Sequence, residues 1–469
     1  MRPPLLLAYL AACAPSDAPE TAPVCIDSGG LHEVCAIVRP DNALLIDVLW
    51  TTDTPGTSWV SFGETEPTSR LGSDDLTLDH HVVLYGLRGD RDLVLQVQTD
   101  LVDGSTLQSE AFVARTDPLP EHIPVGVLDS NDPSPSARWT LVNISNRQAD
   151  WPASAVIYDE WGEPVWYFTP LPNITDFRGD IDVSLTSTGT ILMGGSGKRL
   201  DPVEVDLQGV VRWDGPEQVS PFEQHHHFQS VEDGTYVFLR HASVPGRPEV
   251  YMDELVQIGA DHNELWSWNA VEHLVAPAFE RNDYTHMNSA TWTDDAAYIN
   301  SRNLNALFKI DRATGEIVWE LGARGDFART NPSDAWFQSA HDPELQPDGT
   351  WLIYDNEGAP GEHSRVTQWV IDEQDMTAHI AWAFPGNFDI PPWYTEDWHS
   401  DIWGDADRLD SGNVLITAGT RDKGGESRVF EVTWDGEVVW ALRLPTPEGG
   451  IVGIYRAQRI PIPDARRQR

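Results

Sequence analysis

Residues 284–322, YTHMNSATWTDDAAYINSRNLNALFKIDRATGEIVWELG, decide the fold. Short runs rich in β-branched and aromatic residues alternate with turn formers. Thr285–Trp292 reads as a first strand with Asp294-Asp295 as its turn. Ala297–Arg302 is a second strand and Ala306–Asp311 a third. Arg312–Gly315 then turns the chain into a last strand ending at Trp319. The stretch is one four-stranded antiparallel unit, and its first hairpin places His286, Asn288 and Arg302 close together.

The unit recurs on both sides. Strands closing on Trp appear at Gly162–Trp166, Gly209–Trp213, Glu264–Trp268, Gly315–Trp319, Ala378–Trp382 and Gly436–Trp440, at Trp-to-Trp spacings of 47, 55, 51, 63 and 58. Most repeats also carry an early hairpin signal: Thr188-Gly189, Asp233-Gly234, Asp294-Asp295, Asp348-Gly349 and Ser411-Gly412. Four strands per period of this length mark a β-propeller blade. Six Trp-ended strands predict an all-β, six-bladed propeller over residues 137–460, with a tail at 461–469. Ile451–Ile460 follows the last repeat and is expected to pair with the first blade, closing the ring and removing its exposed edges.

Ahead of the repeats, residues 25–117 hold at least five alternating strands and predict a small β-sandwich. The texture around Trp50, Val60-Ser61-Phe62-Gly63 and Leu84-Tyr85-Gly86-Leu87 resembles fibronectin type III-like domains. His80 and His81 are expected on its surface. A Pro-rich stretch, 118–136, reads as a linker. At the start, MRPPLLLAYLAAC has one basic residue, a short apolar run and small residues before Cys13, which is the pattern of an export signal over 1–12. Leu10-Ala11-Ala12-Cys13 resembles a bacterial lipobox, which implies cleavage before Cys13, a lipid on its sulfur and a tether over 13–24. The expected location is outside the cytoplasm, anchored to the bacterial membrane on its periplasmic or cell-surface side. Cys25 and Cys35 would then pair as a structural staple in an oxidising compartment.

A formal charge of −43 argues against nucleic acid and against an anionic membrane surface as partners. An anionic substrate would need a local positive site. The repeats supply one. His226, His286 and His341 each lie eight residues before the hairpin residue of their blade (Gly234, Asp294, Gly349), and Gly404 holds that phase before Gly412. One such histidine would be an ordinary turn-adjacent residue; three in phase on channel-lining strands predict convergence at one end of the channel. Strand alternation puts Asn288 on the His286 face, and Arg302 ends the partner strand. An Arg fork with several imidazoles suits transfer of an anionic group such as sulfuryl or phosphoryl. P-loop, zinc CxxC and GxSxG patterns are absent from the sequence.

The segments HHHFQSVEDGTYVFL, THMNSATW…NSRNLNALFKIDRATGEIVWELG and AHDPELQPDGTWLIYDN…SRVTQWVID resemble the bacterial arylsulfate sulfotransferases over roughly Phe222–Trp440. The resemblance implies an exported six-bladed propeller. Such an enzyme moves a sulfuryl group from an aryl sulfate to a phenol by a ping-pong route through a sulfohistidine, without the nucleotide sulfate donor. No cofactor and no metal are implied. Carried over by motif, His341 is the nucleophile, and His286, His226 and Arg302 complete the catalytic set. Asn288, His225 and His227 are substrate-binding candidates. The family often reads HHD where this chain reads HHH, so the choice among His225, His226 and His227 stays open, with phase favouring His226. Trp336, Phe337, Trp393, Tyr394 and Trp398 are candidates for stacking on aryl rings, although packing is the commoner role; Thr420 and Arg421 are open candidates for later contacts.

Three other readings compete. The three-histidine cluster could hold a metal in a propeller enzyme. The strand IDRATGEIVW resembles the repeats of pyrroloquinoline-quinone propellers, though blade packing explains it. A non-catalytic surface-binding lipoprotein would also fit the anchor and sandwich. A homodimer is compatible with the sequence.

Overall fold

The computed structural model describes residues 21–129, 138–146, 152–170, 181–195, 201–216, 224–231, 234–276, 282–357, 363–385, 399–419, 426–445 and 452–462. Cys13, the leader over 1–12 and most of the tail lie outside them, as do Trp393, Tyr394, Trp398, Thr420 and Arg421. Apart from one four-residue helix, Ala270–His273, the regular elements described are strands.

Six small sheets form a six-bladed β-propeller. Blade 4 is Met287–Trp292, Ala296–Ser301, Ala306–Asp311 and Ile317–Gly322, so its expected boundaries move by at most three residues. The innermost strands of blades 2, 3, 5 and 6 are Ile181–Leu185, Gln224–Ser230, His341–Leu345 and Asp405–Arg408. Blade 1 is built from both ends of the repeat region. Ala457–Ile460 pairs antiparallel inside Trp139–Asn146, with Ala457 opposite Val142 and Ile460 opposite Trp139. The expected closure is therefore present. Val127–Leu128, in the stretch expected to be linker, instead adds an outer strand to blade 6.

Each blade is packed on both faces, which explains strands without a polar side. Ile191 joins the core between blades 1 and 2, while Leu192 joins the one between blades 2 and 3. All five residues of Val414–Ala418 are buried. The repeated Trp ties blades together. The Trp166 indole N–H donates to the Leu207 carbonyl at 3.0 Å, Trp213 to Ala260 at 2.9 Å and Trp268 to Gly315 at 3.0 Å. Trp382 donates to Trp434 at 2.8 Å, and Trp440 crosses the closure to Glu160 at 3.3 Å. Every acceptor lies in or beside a turn of the next blade, and each such bond contributes about 1 kcal/mol. Trp319 is the exception, with its Nε1 buried and unpartnered.

The N-terminal unit is a sandwich made from one bent hairpin. The 22-residue strand Asn42–Gly63 pairs with Ser69–Leu84, and the register breaks between Thr51 and Gly56. Leu31–Arg39 pairs with the first half of the long strand and Asp92–Asp100 with the second. The two halves bury Val34, Ile46 and Trp50 against Val60, Phe62 and Leu95. Cys25 and Cys35 stand opposite each other in register and form a disulfide. His81 is exposed as expected, but His80 is not. It is wholly buried, stacked on Trp50 at 4.8 Å, with its nitrogens 2.9 Å from Thr52 Oγ1 and 2.8 Å from Ser58 Oγ. The two hydroxyls make that burial tolerable, and burial lowers its pKa to about 4. The sandwich docks on blade 1 through Asn42, which donates to the Tyr167 carbonyl at 2.8 Å, and Arg88, 2.6 Å from Asp159.

Candidate active site

Three innermost strands begin with the same distortion. Register shifts fall between His225 and Phe228, Met287 and Ser289, and His341 and Glu344. The backbone is left-handed at His226 (φ 58°), His286 (φ 45°) and Asp342 (φ 42°), conformations that cost non-glycine residues roughly 1–3 kcal/mol each. Bulges re-aim side chains. In a regular strand His225 and His227 would share a face; here His225, His226 and His227 point three ways.

His226 joins His286 and His341 at one end of the channel. The His226 and His286 rings are 4.8 Å apart, edge to face, and Tyr455 lies 6.0 Å from His226 and 6.2 Å from His341. Arg302 stands beside them. Its backbone N–H donates to the His286 carbonyl at 3.0 Å, its Nη2 to the Asp401 carbonyl at 3.4 Å, and its charge acts on both His286 and His341.

His341 is wholly enclosed. Its Nδ1 lies 2.7 Å from Asn356 Oδ1 and 3.1 Å from the Ser339 carbonyl. The Asn356 amide is oriented by donating to the carbonyls of Ser400 at 2.8 Å and Trp403 at 2.7 Å. Two acceptors therefore face Nδ1, so the proton sits there and the lone pair on Nε2, which accepts a hydrogen bond from the Trp403 N–H at 3.3 Å. Burial pushes the His341 pKa down to about 3. His226 is held well below the ordinary histidine value by burial and by the neighbouring His286 and His225 imidazoles. His286 goes the other way: burial opposes its charge, but the Asp283 carboxylate bonded to its Nδ1 raises its pKa. The cluster thus holds two neutral imidazoles and one poised to be cationic.

The other candidates sit elsewhere. Asn288 is fully buried; its amide donates to the Ala340 carbonyl at 2.9 Å and its Oδ1 accepts from Asn300 at 2.6 Å. It ties blade 4 to the residue before His341, because the bulge ends the alternation that would have turned it toward His286. His227 turns to Asp182, at 3.5 Å, and Arg456, at 3.2 Å. There it lines a cavity of about 850 Å³ farther down the channel, with Asp342, Asp405 and Asp407. Trp336 stacks on Trp369 at 4.7 Å, and Phe337 is wholly buried, so both are packing residues.

His225 turns toward blade 4. With His241 and Asp253 it forms a group of metal-type ligands whose donor atoms lie within 4.8 Å of one another. The two rings are stacked, however, with centroids 4.2 Å apart and planes 23° apart. Imidazoles sharing a tetrahedral ion hold their centroids about 5 Å apart, with both ring planes passing through the ion. The stacked pair does not aim two lone pairs at one point.

The family model for arylsulfotransferase (ASST) matches residues 127–444, which is most of the chain and all six blades' sheets up to the closing strand. The chain belongs to the arylsulfotransferase family. Arylsulfotransferase activity, with aryl sulfates and phenols as substrates, is what membership supports. No curated protein matches. Solved structures similar to this arylsulfotransferase-family chain include a protein of unknown function from Bacteroides caccae, at 13% identity and TM-score 0.44, covering 66% of this chain and 94% of that one. Another is apo AztD from Citrobacter koseri, at 10% identity and TM-score 0.26, covering 86% and 97%. At these scores neither likeness bears on function.

The candidate site includes residues that motif reading passed over. Asn356 follows the second strand of blade 5 as Arg302 follows that of blade 4, a parallel that could have exposed it. Tyr455 lies two residues before the closing strand Ala457–Ile460, whose expected innermost place already implied the channel. Asp283, Asp253 and Trp403 gave no signal, since only the packed blades bring them to the histidines.

Proposed function

We propose that this arylsulfotransferase works by ping-pong transfer through a sulfohistidine at His341, without a nucleotide sulfate donor. The observation that carries the reading is the His341 tautomer: Asn356 and Ser339 hold its proton on Nδ1, leaving the Nε2 lone pair as nucleophile. Nε2 attacks sulfur; the N–S bond forms as the S–O bond to the aryl group breaks. The leaving phenolate takes a proton from the His286 imidazolium. Arg302 balances charge on the sulfuryl oxygens. In the second half-reaction the acceptor phenol's oxygen bonds to sulfur, the N–S bond breaks back to the His341 lone pair, and the phenol's proton returns to His286. The leader sequence, the lipobox at Cys13 and the Cys25–Cys35 disulfide support a lipid-anchored protein outside the cytoplasm.

The test is release of a chromogenic phenol from its sulfate ester by wild type and His341→Asn, with and without an acceptor phenol. Acceptor-dependent release that vanishes in the variant is expected. Steady release in water alone would make the protein a sulfatase, and release by the variant would remove His341 from the chemistry.

A further inference from the structure

The channel has a second chamber, and its charge is opposite to that of the histidine cluster. Consecutive residues divide between the two. His226, His341 and Tyr455 stand together at the cluster, while His227, Asp342 and Arg456 line the cavity of about 850 Å³. That cavity lies toward the hairpin ends of the innermost strands, where Ser230, Leu345 and the exposed Asp294 belong to its wall.

Two arginines line this chamber, and both are committed. Arg456 Nη1 lies 3.0 Å from Asp182 Oδ2, and its Nη2 lies 2.9 Å from Asp342 Oδ1. Arg312 stands over the Trp292 ring at 3.9 Å and donates to the carbonyls of Thr293 at 2.7 Å and Asp294 at 2.8 Å. Glu344, Asp405 and Asp407 also line the chamber, and among the described residues none of the three forms an ion pair. Burial, added to repulsion among the carboxyls, pushes Asp405 and Asp407 well above the usual carboxylate value. Two further atoms of the wall are buried without a partner. Asp405 is 3% exposed; its Oδ2 accepts from the Ala457 N–H at 3.3 Å, but no donor reaches its Oδ1. His227 is also 3% exposed. Its Nδ1, 3.2 Å from Arg456 Nη1, must accept, because a guanidinium only donates, so its hydrogen is on Nε2, which meets no acceptor.

We propose that this chamber binds a small organic cation, an alkylammonium whose N–H groups are held by Asp405, Asp407 and Glu344. An ammonium supplies what these residues lack: positive charge together with several hydrogens, one of them for Asp405 Oδ1. A hydroxyl oxygen on the same ligand answers the His227 Nε2–H. A bare metal ion fits less well. A hard cation draws its oxygens to about 2.3–2.6 Å and so brings them within ~5 Å of one another. Among the described residues, the only three imidazole or carboxylate donors that close together are those of His225, His241 and Asp253, which lie elsewhere. The chamber is also far larger than an ion, and it has an apolar side, Val183, Ala290 and Leu345, against which a carbon stem can lie. Aryl sulfates are anions and are repelled here, so the chamber is a site separate from the histidine cluster.

Titration calorimetry tests this, with ethanolamine and 1,4-diaminobutane as probes at about 0.15 M ionic strength, where surface charge is screened. Saturable binding at a single site is expected for the wild type. Asp405→Asn keeps the side chain's shape and its contact with Ala457 but removes the charge, and should weaken binding at least about tenfold. Gln229→Lys adds a tethered ammonium to an exposed part of the chamber wall and should weaken it as much, with little risk to folding. Asp74→Asn with Asp75→Asn, on the exposed face of the sandwich, should leave it unchanged. Absence of saturable binding to the wild type overturns the site, as does wild-type affinity in either folded chamber variant. An equal loss in the sandwich variant reduces the binding to attraction by the acidic surface and also overturns it. Calcium chloride that binds more tightly than both amines and displaces them reassigns the chamber to a metal ion. If Asp405→Asn fails to fold, Gln229→Lys decides alone.

Discussion

Asn356 Oδ1 stands 2.7 Å from His341 Nδ1, and this contact decides which nitrogen of the candidate nucleophile carries the hydrogen. Replacing Asn356 by Leu removes the acceptor and strands the donors and acceptors around it. A buried group left unsatisfied costs about 1–3 kcal/mol, so kcat should fall roughly 5–150-fold. Aryl sulfate turnover in folded variant protein checks this; unchanged kcat would mean that Ser339 alone holds the tautomer.

Asn356→Asp keeps an acceptor in place but adds negative charge. The carboxylate would raise the His341 pKa from its buried value of about 3. A protonated nucleophile is inactive, so the acid limb of the pH–rate profile should move to higher pH. The alkaline limb, set by loss of the His286 proton, should stay above the ordinary histidine value of 6.5 in both proteins, because Asp283 raises that pKa. An acid limb that does not move would separate His341 from the titration.

The buried histidines also make stability depend on pH. His341 titrates at 6.5 when unfolded and about 3 when folded, so the unfolded chain binds more protons between those values. Stability from this group is complete above 6.5 and lost progressively as pH falls toward 3. His226 acts in the same direction. Urea midpoints should therefore fall on acidification across this window, and His341→Asn should flatten the dependence.

The blade tryptophans separate packing from hydrogen bonding. Trp268→Phe loses the bond to the Gly315 carbonyl and should cost about 1 kcal/mol beyond its packing change. Trp319→Phe loses no such bond, because its Nε1 has no partner, and should cost less. Trp440→Ala, at the ring closure, should cost about 3–5 kcal/mol. Denaturant unfolding of the three variants orders them, and equal costs for the two Phe variants would contradict the bonding account.

Removing the Cys25–Cys35 disulfide by Cys35→Ser should lower the sandwich's stability by about 2–3 kcal/mol, as expected for a loop of this length, with a residue separation of 10. Turnover at moderate temperature should not change, because the bridge lies in the sandwich and the histidines in the propeller.

The sequence by itself determined the blades and their number. Hairpins are local, so turn residues, alternation and the recurring Trp wrote each four-stranded unit into a short segment. The common phase of His226, His286 and His341 carried their convergence as well, since repeated units place equivalent residues at equivalent radii. Asn288 leaves the face that strand alternation assigned to it because a bulge with a left-handed residue breaks the two-residue period, and nothing in the local composition announces it. His80 looked like a surface residue until two hydroxyls and Trp50 enclosed it. Only the tertiary structure decided where the hydrogens sit. Asn356 reaches His341, Asp283 reaches His286 and Asp253 reaches His225 through strand starts, turns and blade interfaces. A proton's position depends on which acceptor stands within 3 Å or so, and that is a property of the packed ring, not of the order of residues along it.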